Sequence, residues 1–486
     1  MKQSIAADAV KLTTSKVITM LISMISAMLL SRFRTLEEYG TYSQLLLVIN
    51  LVTTILMLGL PNSINFFLAR AENDKERRVF LSVYYTISTV LGLFTGLVLV
   101  LSTPLIVDYF RNPFIKDFMY FFAVYPWSMI ILSSIENVLI VYHRTNFLMV
   151  FRIMNSVALL FIIFIVELLG WGFPAYMGMF VFVEGVFALS VYSIVGKISE
   201  GLTISVDKRL IKGVLEFSIP VGLASVIGVL NIQLDKMVIG KFFSVEEIAI
   251  YTNAAREMPV TIIASSLTAV LMPQIARLLK ENKSKEAVNI WGDSIILSYT
   301  LICFISLGLF VFAPEVISLL YSKKYLPGVE VFRIYSLVLL LRATYFGMML
   351  NAIGKTKFIF YSSLASLGVN LLLNYVFYRV LGFVGPAIAT FISISMIQLY
   401  QLIATAINIK IELKYIFPWK DVGVITVINL ILGVIFAYIK ALVPIETLNG
   451  EVCESIVLGG IWAIIYLLIM RKQIIDKWKN LSRNTN

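Results

Sequence analysis

Three arginines stand where hydrocarbon-like surroundings ought to exclude them. Arg152, Arg256 and Arg342 each fall inside a long apolar run, and an arginine at mid-bilayer costs about 2.5 to 3.5 kcal/mol on insertion scales, so it faces a cavity or a partner. The stretch NAAREMPV sets Arg256 directly beside Glu257. Neighbours in a helix point apart, so the two cannot satisfy one another, and each must look to another helix or to water. A guanidinium keeps its charge and offers a flat fork of donors that matches phosphate oxygens. The expected chemistry is therefore capture of an anion, with Glu257 or a carboxylate from another helix holding Arg256 when the site is empty. Arg342 lies deepest, about eleven residues or roughly 16 Å from an end of its run, whereas Arg152 and Arg256 are near enough to an end to snorkel. The plainer alternative is that these charges only fix helix packing.

Other polar residues fit the same scheme. Glu184, near the middle of FVFVEGVF, and Asp235 are the candidate carboxylates for coupling to H+ or Na+. Asn370 and Asn374 lie one turn apart in NLLLNYVFY, and Gln398 and Gln401 repeat that arrangement. Such amides serve equally well as contacts for sugar hydroxyls or as hydrogen bonds between helices. Of the prolines inside apolar runs, Pro259 lies one turn from Arg256 and is the expected hinge, because proline frees a backbone carbonyl and bends a helix.

The elements that must carry these residues are membrane helices. Of 486 residues, 59% are hydrophobic and 14% charged, against roughly 25% charged in soluble domains. Apolar runs of about 20 residues, the length that spans a bilayer core, occur near 14–31, 43–69, 79–102, 118–142, 147–168, 173–195, 211–234, 249–277, 290–313, 330–353, 358–378, 384–408, 421–439 and 455–470. The expected fold is an all-α polytopic membrane protein with about 14 transmembrane helices. With both termini cytoplasmic, about 26 of the 40 basic residues fall in inner loops and about 11 in outer ones. The net charge of +11 then reports topology and anionic headgroups, not nucleic-acid binding.

The chain repeats itself. RFRTLEEYGTY from Arg32 is echoed by KFFSVEEIAIY from Lys241, and three further echoes follow in the same order at offsets of 209 to 212. This predicts a parallel duplication, with residues 1–205 as an N-terminal six-helix lobe, 206–412 as a C-terminal six-helix lobe, and 413–486 as two added helices with a basic tail. A central cavity is expected between the lobes.

LDKMVIGKFFSVEEIAIYTNA, GVEVFRIYSLVLLLRATYFGMMLNAIGKTK and GFVGPAIAT resemble the polysaccharide-unit flippases of the multidrug/oligosaccharidyl-lipid/polysaccharide exporter superfamily. The resemblance runs over essentially the whole chain. It implies a flippase for undecaprenyl-diphosphate-linked oligosaccharides, working by alternating access in a bacterial cytoplasmic membrane. The substrate-lining set would be Arg152, Arg256, Arg342, Glu257, Asn370 and Asn374, with membrane lipids as the surroundings.

Enzymatic chemistry finds no residues to use. GKTK at Gly354 lacks the glycine that a phosphate loop needs five residues earlier, where Met349 stands. Two cysteines and one histidine offer no metal cluster, and no cofactor is expected. The rival readings are a drug or cation antiporter of the same superfamily, which predicts a cavity dominated by carboxylates, and an integral-membrane glycosyltransferase or polymerase, which needs larger loops than the roughly 15-residue ones here.

Overall fold

The echoing segments both start helices, and they do so with the same device. The Thr35 hydroxyl accepts from the Glu38 N–H at 3.1 Å while the Glu38 carboxylate accepts from the Thr35 N–H at 2.9 Å. Ser244 and Glu247 repeat both bonds, at 3.2 and 2.8 Å. Each is a reciprocal cap that satisfies two otherwise orphaned backbone donors.

The computed structural model describes residues 5–256, 258–442 and 448–485, with side chains described for 11–256, 258–442 and 452–481. Among the described residues the secondary structure is helical throughout, with no strand. The chain divides into two compact units, Met1–Ala249 and Ile250–Asn486. The first contains α1 (Ile5–Phe33), α2 (Leu36–Met57), α3 (Leu60–Ser63), α4 (Asp74–Leu101), α5 (Thr103–Phe110), α6 (Met119–Val141), α7 (Thr145–Leu168), α8 (Phe173–Ile198) and α9 (Lys208–Phe242). Helix α10 (Val245–Ala254) crosses the boundary. The second unit continues with α11 (Ile262–Lys280), α12 (Ser284–Val311), α13 (Ala313–Leu320), α14 (Val329–Leu341), α15 (Met348–Ala352), α16 (Thr356–Leu381), α17 (Gly385–Ile409), α18 (Leu413–Ile416), α19 (Trp419–Leu442) and α20 (Leu448–Thr485). The division falls after α9 because α9 packs on α2 and α3.

Among the described residues, twelve segments are long and apolar enough to cross a membrane, so this is a multi-pass membrane protein. The sequence gives fourteen runs, and the difference has two sources. Thr356–Ile409 is one segment of 54 residues holding both α16 and α17, joined by a 3-10 turn at Gly382–Val384. The run at 330–353 is not continuous; it stops at Arg342, leaving α14 with 13 residues and α15 with five.

Two further runs are interrupted. The run at 43–69 turns at Leu58 and Gly59, whose φ angles are 52° and 70°. A Cβ on Gly59 would lie 2.7 Å from the Gly222 nitrogen, and one on Gly222 would lie 2.4 Å from the Leu58 carbonyl carbon. Two glycines are thus required for α9 to cross the interruption at backbone contact. The run at 249–277 breaks between α10 and α11. Met258 is extended there (φ −86°, ψ 145°), as expected of a residue pinned by the ring of the following proline.

Each unit has its own apolar core. In the first, Phe80, Tyr84, Ile131, Val138 and Val195 cluster with Val214 of α9. In the second, Trp291, Ile295, Met349 and Leu402 form one cluster, while Phe436 stacks on Trp462 at 5.6 Å and fastens α19 to α20. The units also share a pattern absent from the sequence echoes. Helix α5 is followed by a 3-10 stretch at Pro113–Phe118, and α13 by one at Lys323–Gly328.

Candidate functional site

Arg256 and Arg342 stand at the two breaks of the second unit. Arg256 follows the end of α10, and Arg342 caps α14 with non-helical dihedrals (φ −97°, ψ 14°). Both line one pocket of about 20 Å³, together with Tyr335, Ser336 and Phe332 of α14 and Met258. That is room for one water-sized occupant. The two arginines nominated from sequence are therefore brought together, by helix interruptions instead of by helix faces. Glu257, nominated as the partner of Arg256, lies outside the described residues.

A helix broken within a membrane leaves carbonyls that lipid cannot satisfy, so side chains must do it. At the Arg342 break, the Ser298 hydroxyl donates to the Ala343 carbonyl at 2.5 Å, and the Gln398 amide donates to the Leu341 carbonyl. The Trp291 indole donates to the Thr344 hydroxyl at 3.0 Å. Gln398, for which sugar contact and a hydrogen bond between helices were equally open, makes the second here, from α17 to the backbone of α14. In the first unit, Asn137 likewise donates to the Pro61 carbonyl at 2.9 Å.

Arg152 belongs to a different site, inside the first unit. It pairs with Glu136 of α6, and the same carboxylate meets Lys16 of α1 at 3.4 Å. The three line a cavity of about 330 Å³ with Ser133, Asn155 and Ser156. The Nη1 of Arg152 is buried there without a hydrogen-bond partner. Two cations against one carboxylate, with a donor to spare, make the cavity receptive to an anion. Asn155 also donates to Glu184 of α8 at 3.1 Å, which ties this candidate coupling residue, only 6% exposed, to the rim of the cavity. The sequence names no partner for Arg152. The available signal was depth, since Glu136 and Arg152 lie within about two turns of the same 142–144 connection on successive helices.

The remaining nominees lie elsewhere. Asp235 is buried on α9, accepting from the N–H of Lys236 at 2.8 Å. Asn370 and Asn374 do not line the arginine pocket. With Ser362 and Ser366 they form the buried stripe of α16 at four-residue spacing. Gln401 of α17 donates to Ser362 at 3.2 Å, and Ser366 donates to the Ser393 carbonyl of α17 at 3.4 Å. Asn374 donates to the Asn370 side chain at 2.8 Å. The stripe is a helix-packing seam, the other role open to such amides. Of the prolines, Pro126, Pro220 and Pro273 sit inside unbroken helices, whereas Pro259 begins the turn beside Arg256.

A family model described as a polysaccharide biosynthesis protein matches residues 29–330, well over half of the 486-residue chain. The chain belongs to that family. Among its relatives, the probable low-salt glycan biosynthesis flippase Agl15 of Haloferax volcanii is 24% identical over 221 residues. That match covers 44% of this chain and 45% of Agl15, so it spans less than half the length of the relative. The solved structure of the lipid II flippase MurJ, in an inward closed conformation, matches with a TM-score of 0.71 at 17% identity, covering 94% of this chain and 98% of MurJ. The inward-facing conformation of a multidrug resistance MATE family transporter of the MOP superfamily matches with a TM-score of 0.66 at 15% identity, covering 81% of this chain and 94% of that one. At such identities the likeness is one of fold.

Proposed function

We propose that this chain is a flippase that moves polyprenyl-diphosphate-linked oligosaccharides, undecaprenyl-linked in a bacterial cytoplasmic membrane, from the inner to the outer leaflet by alternating access. The observation that carries the reading is the convergence of Arg256 and Arg342, each at a helix interruption, on one pocket. Interrupted helices are where transporters bind polar cargo at membrane depth, and paired guanidiniums select a phosphate over a cation. The cavity around Arg152 has the same character. Membership of a polysaccharide biosynthesis family and the fold shared with a lipid II flippase support the same assignment. The chain acts as a carrier and makes or breaks no covalent bond.

In this reading both termini are cytoplasmic, and Pro259 is the hinge at which α10 and α11 reorient. Glu184 and Asp235 are the carboxylates through which H+ or Na+ would couple. Residues 1–205 and 206–412 derive from one duplicated six-helix unit, a proposal supported by the twin caps at Thr35 and Ser244; residues 413–486 were added to it. Asn370 and Asn374 act as packing residues that set the α16–α17 spacing.

The test is reconstitution in proteoliposomes with a polyprenyl-diphosphate-linked oligosaccharide, reading how much headgroup becomes accessible to an external glycan-modifying enzyme. Protein-dependent translocation is expected, reduced when Arg256 or Arg342 is replaced. Transport of organic cations in place of the diphosphate lipid would favour the antiporter reading and sink this one.

A further inference from the structure

In the first unit, the connection between α8 and α9, residues 199–207, is fastened to a neighbouring helix. It turns at Glu200 and Gly201, whose φ angles are 58° and 117°, and Leu202 packs on the apolar core of the unit. The Thr203 N–H then donates to the Ser82 hydroxyl of α4, and the Ser205 N–H to the Thr86 hydroxyl, each at 3.2 Å. Two residues of the connection thus keep pace with four of α4, about 6 Å of helix, which a chain achieves only when nearly fully extended. Ile204, between the two donors, is 91% exposed, and Val206 beyond them is 67% exposed.

The two accepting hydroxyls belong to the outward side of α4. Val79, Ser82, Thr86, Val90, Leu93 and Leu97 recur at intervals of three and four residues, which is one face of a helix. The four apolar members of that face are all exposed, as side chains that meet acyl chains must be. The two polar members are the ones the connection covers. At 1.5 Å per residue, Ser82 and Thr86 lie about 6 and 12 Å beyond Arg78, the last charged residue before the apolar part of α4. That is the depth of the boundary between headgroups and acyl chains. Backbone N–H groups find little water there and need protein acceptors, which is what Ser82 and Thr86 supply. Ile204 and Val206 restore an apolar surface where the hydroxyls interrupt it.

We infer that residues 202–206 form a strap inserted into the bilayer, with Ile204 and Val206 among the acyl chains of the leaflet at which α4 begins. Each end of the strap carries both signs of charge, Lys197 with Glu200 and Asp207 with Lys208, so the hold is apolar and does not select a headgroup. The strap ends at Asp207, whose carboxylate caps α9 by accepting from the N–H groups of Arg209 and Leu210 at 2.9 and 3.1 Å. Lipid contact at two side chains thereby fixes where α9 starts relative to α4. This assignment does not depend on what the protein carries.

The experiment is electron paramagnetic resonance on the full-length protein in phosphatidylcholine nanodiscs. A nitroxide is placed at one position at a time through Ile204→Cys, Val206→Cys, Glu200→Cys or Arg209→Cys. The background is Cys453→Ser, and Cys303 is buried and stays unlabelled. Collision with oxygen, which concentrates in the acyl layer, should exceed collision with a water-soluble nickel chelate at 204 and 206, and the order should reverse at 200 and 209. Dominant nickel collision at 204 and 206 would place the strap in water and overturn the proposal. Shielding of both positions from both reagents would also overturn it, marking a protein partner or a second copy as the occupant. Hydrogen exchange gives an independent reading without labels. Residues 202–206 should be protected in the wild-type protein and lose that protection in the Ile204→Ser/Val206→Ser pair while α4 keeps its own. Exchange as fast in the wild type as in the pair overturns the insertion, and if the pair does not fold, the labelled single variants decide.

Discussion

If Arg256 and Arg342 bind one anion between them, removing both should cost scarcely more than removing either. Their common pocket, about 20 Å³, admits a single water-sized group, so one phosphate oxygen is what both can reach there. A hydrogen bond to a charged group contributes about 1.5 to 3 kcal/mol, which converts to a loss of roughly 10- to 150-fold for each single Arg→Gln change. Independent sites would multiply these losses, because distant substitutions add within about 0.5 kcal/mol. A shared anion should instead give a coupling energy of about 1 to 3 kcal/mol. The assay is a double-mutant cycle on Arg256→Gln, Arg342→Gln and the double variant, reading the initial rate of headgroup translocation in proteoliposomes at subsaturating substrate. Charge-preserving Arg256→Lys should keep part of the rate, having lost the fork but not the charge. Strict additivity with well-folded proteins would refute the common-anion reasoning, and full activity of Arg342→Gln would remove that residue from the site altogether.

Replacing Gly222 with Ala places a methyl group 2.4 Å from backbone at the α2 interruption, where no rotamer can relieve it, so stability should fall by about 1 to 3 kcal/mol. Gly228→Ala on the same helix meets nothing within 4 Å and should be neutral or better; thermal unfolding in detergent compares the two, and equal effects would contradict the close approach. The Ser298→Ala/Gln398→Leu pair should leave the Ala343 and Leu341 carbonyls short of partners at about 1 to 3 kcal/mol each, with faster hydrogen exchange confined at first to residues 342–348.

Much of the fold could be read from the chain because bilayer thickness imposes a length that hydropathy reports directly. The twin caps were visible as Thr35 with Glu38 and Ser244 with Glu247, since capping is chemistry between residues three apart. The break at Arg256 was half visible, because Pro259 acts on its immediate neighbour and its effect is local. The break at Arg342 was not, because SLVLLLRATYFGMML contains no proline and reads as one continuous run. What permits the interruption there is supplied from elsewhere in the fold, by Trp291, Ser298 and Gln398. The same limit applies to Asn370 and Asn374, since an amide in an apolar helix declares that it needs a partner but not which one. Arg152 was recognised as needing a counter-charge, and its pairing with Glu136 became definite only once α6 and α7 were folded against each other.

The interruption at Arg342 also bears on how the chain enters the membrane. Helix α14, at 13 residues, is roughly 20 Å long, well short of the roughly 30 Å hydrocarbon core, and its freed carbonyls are answered by residues both earlier and later in the sequence. Ser298 has already been synthesised when Arg342 leaves the ribosome, but Gln398 has not. The segment must therefore enter either as a provisional straight helix or under cover of insertion machinery, and adopt its broken form only after α17 arrives. Chains halted between residues 355 and 397 should accordingly be held by quality-control proteases or chaperones, while those extended past residue 409 escape them.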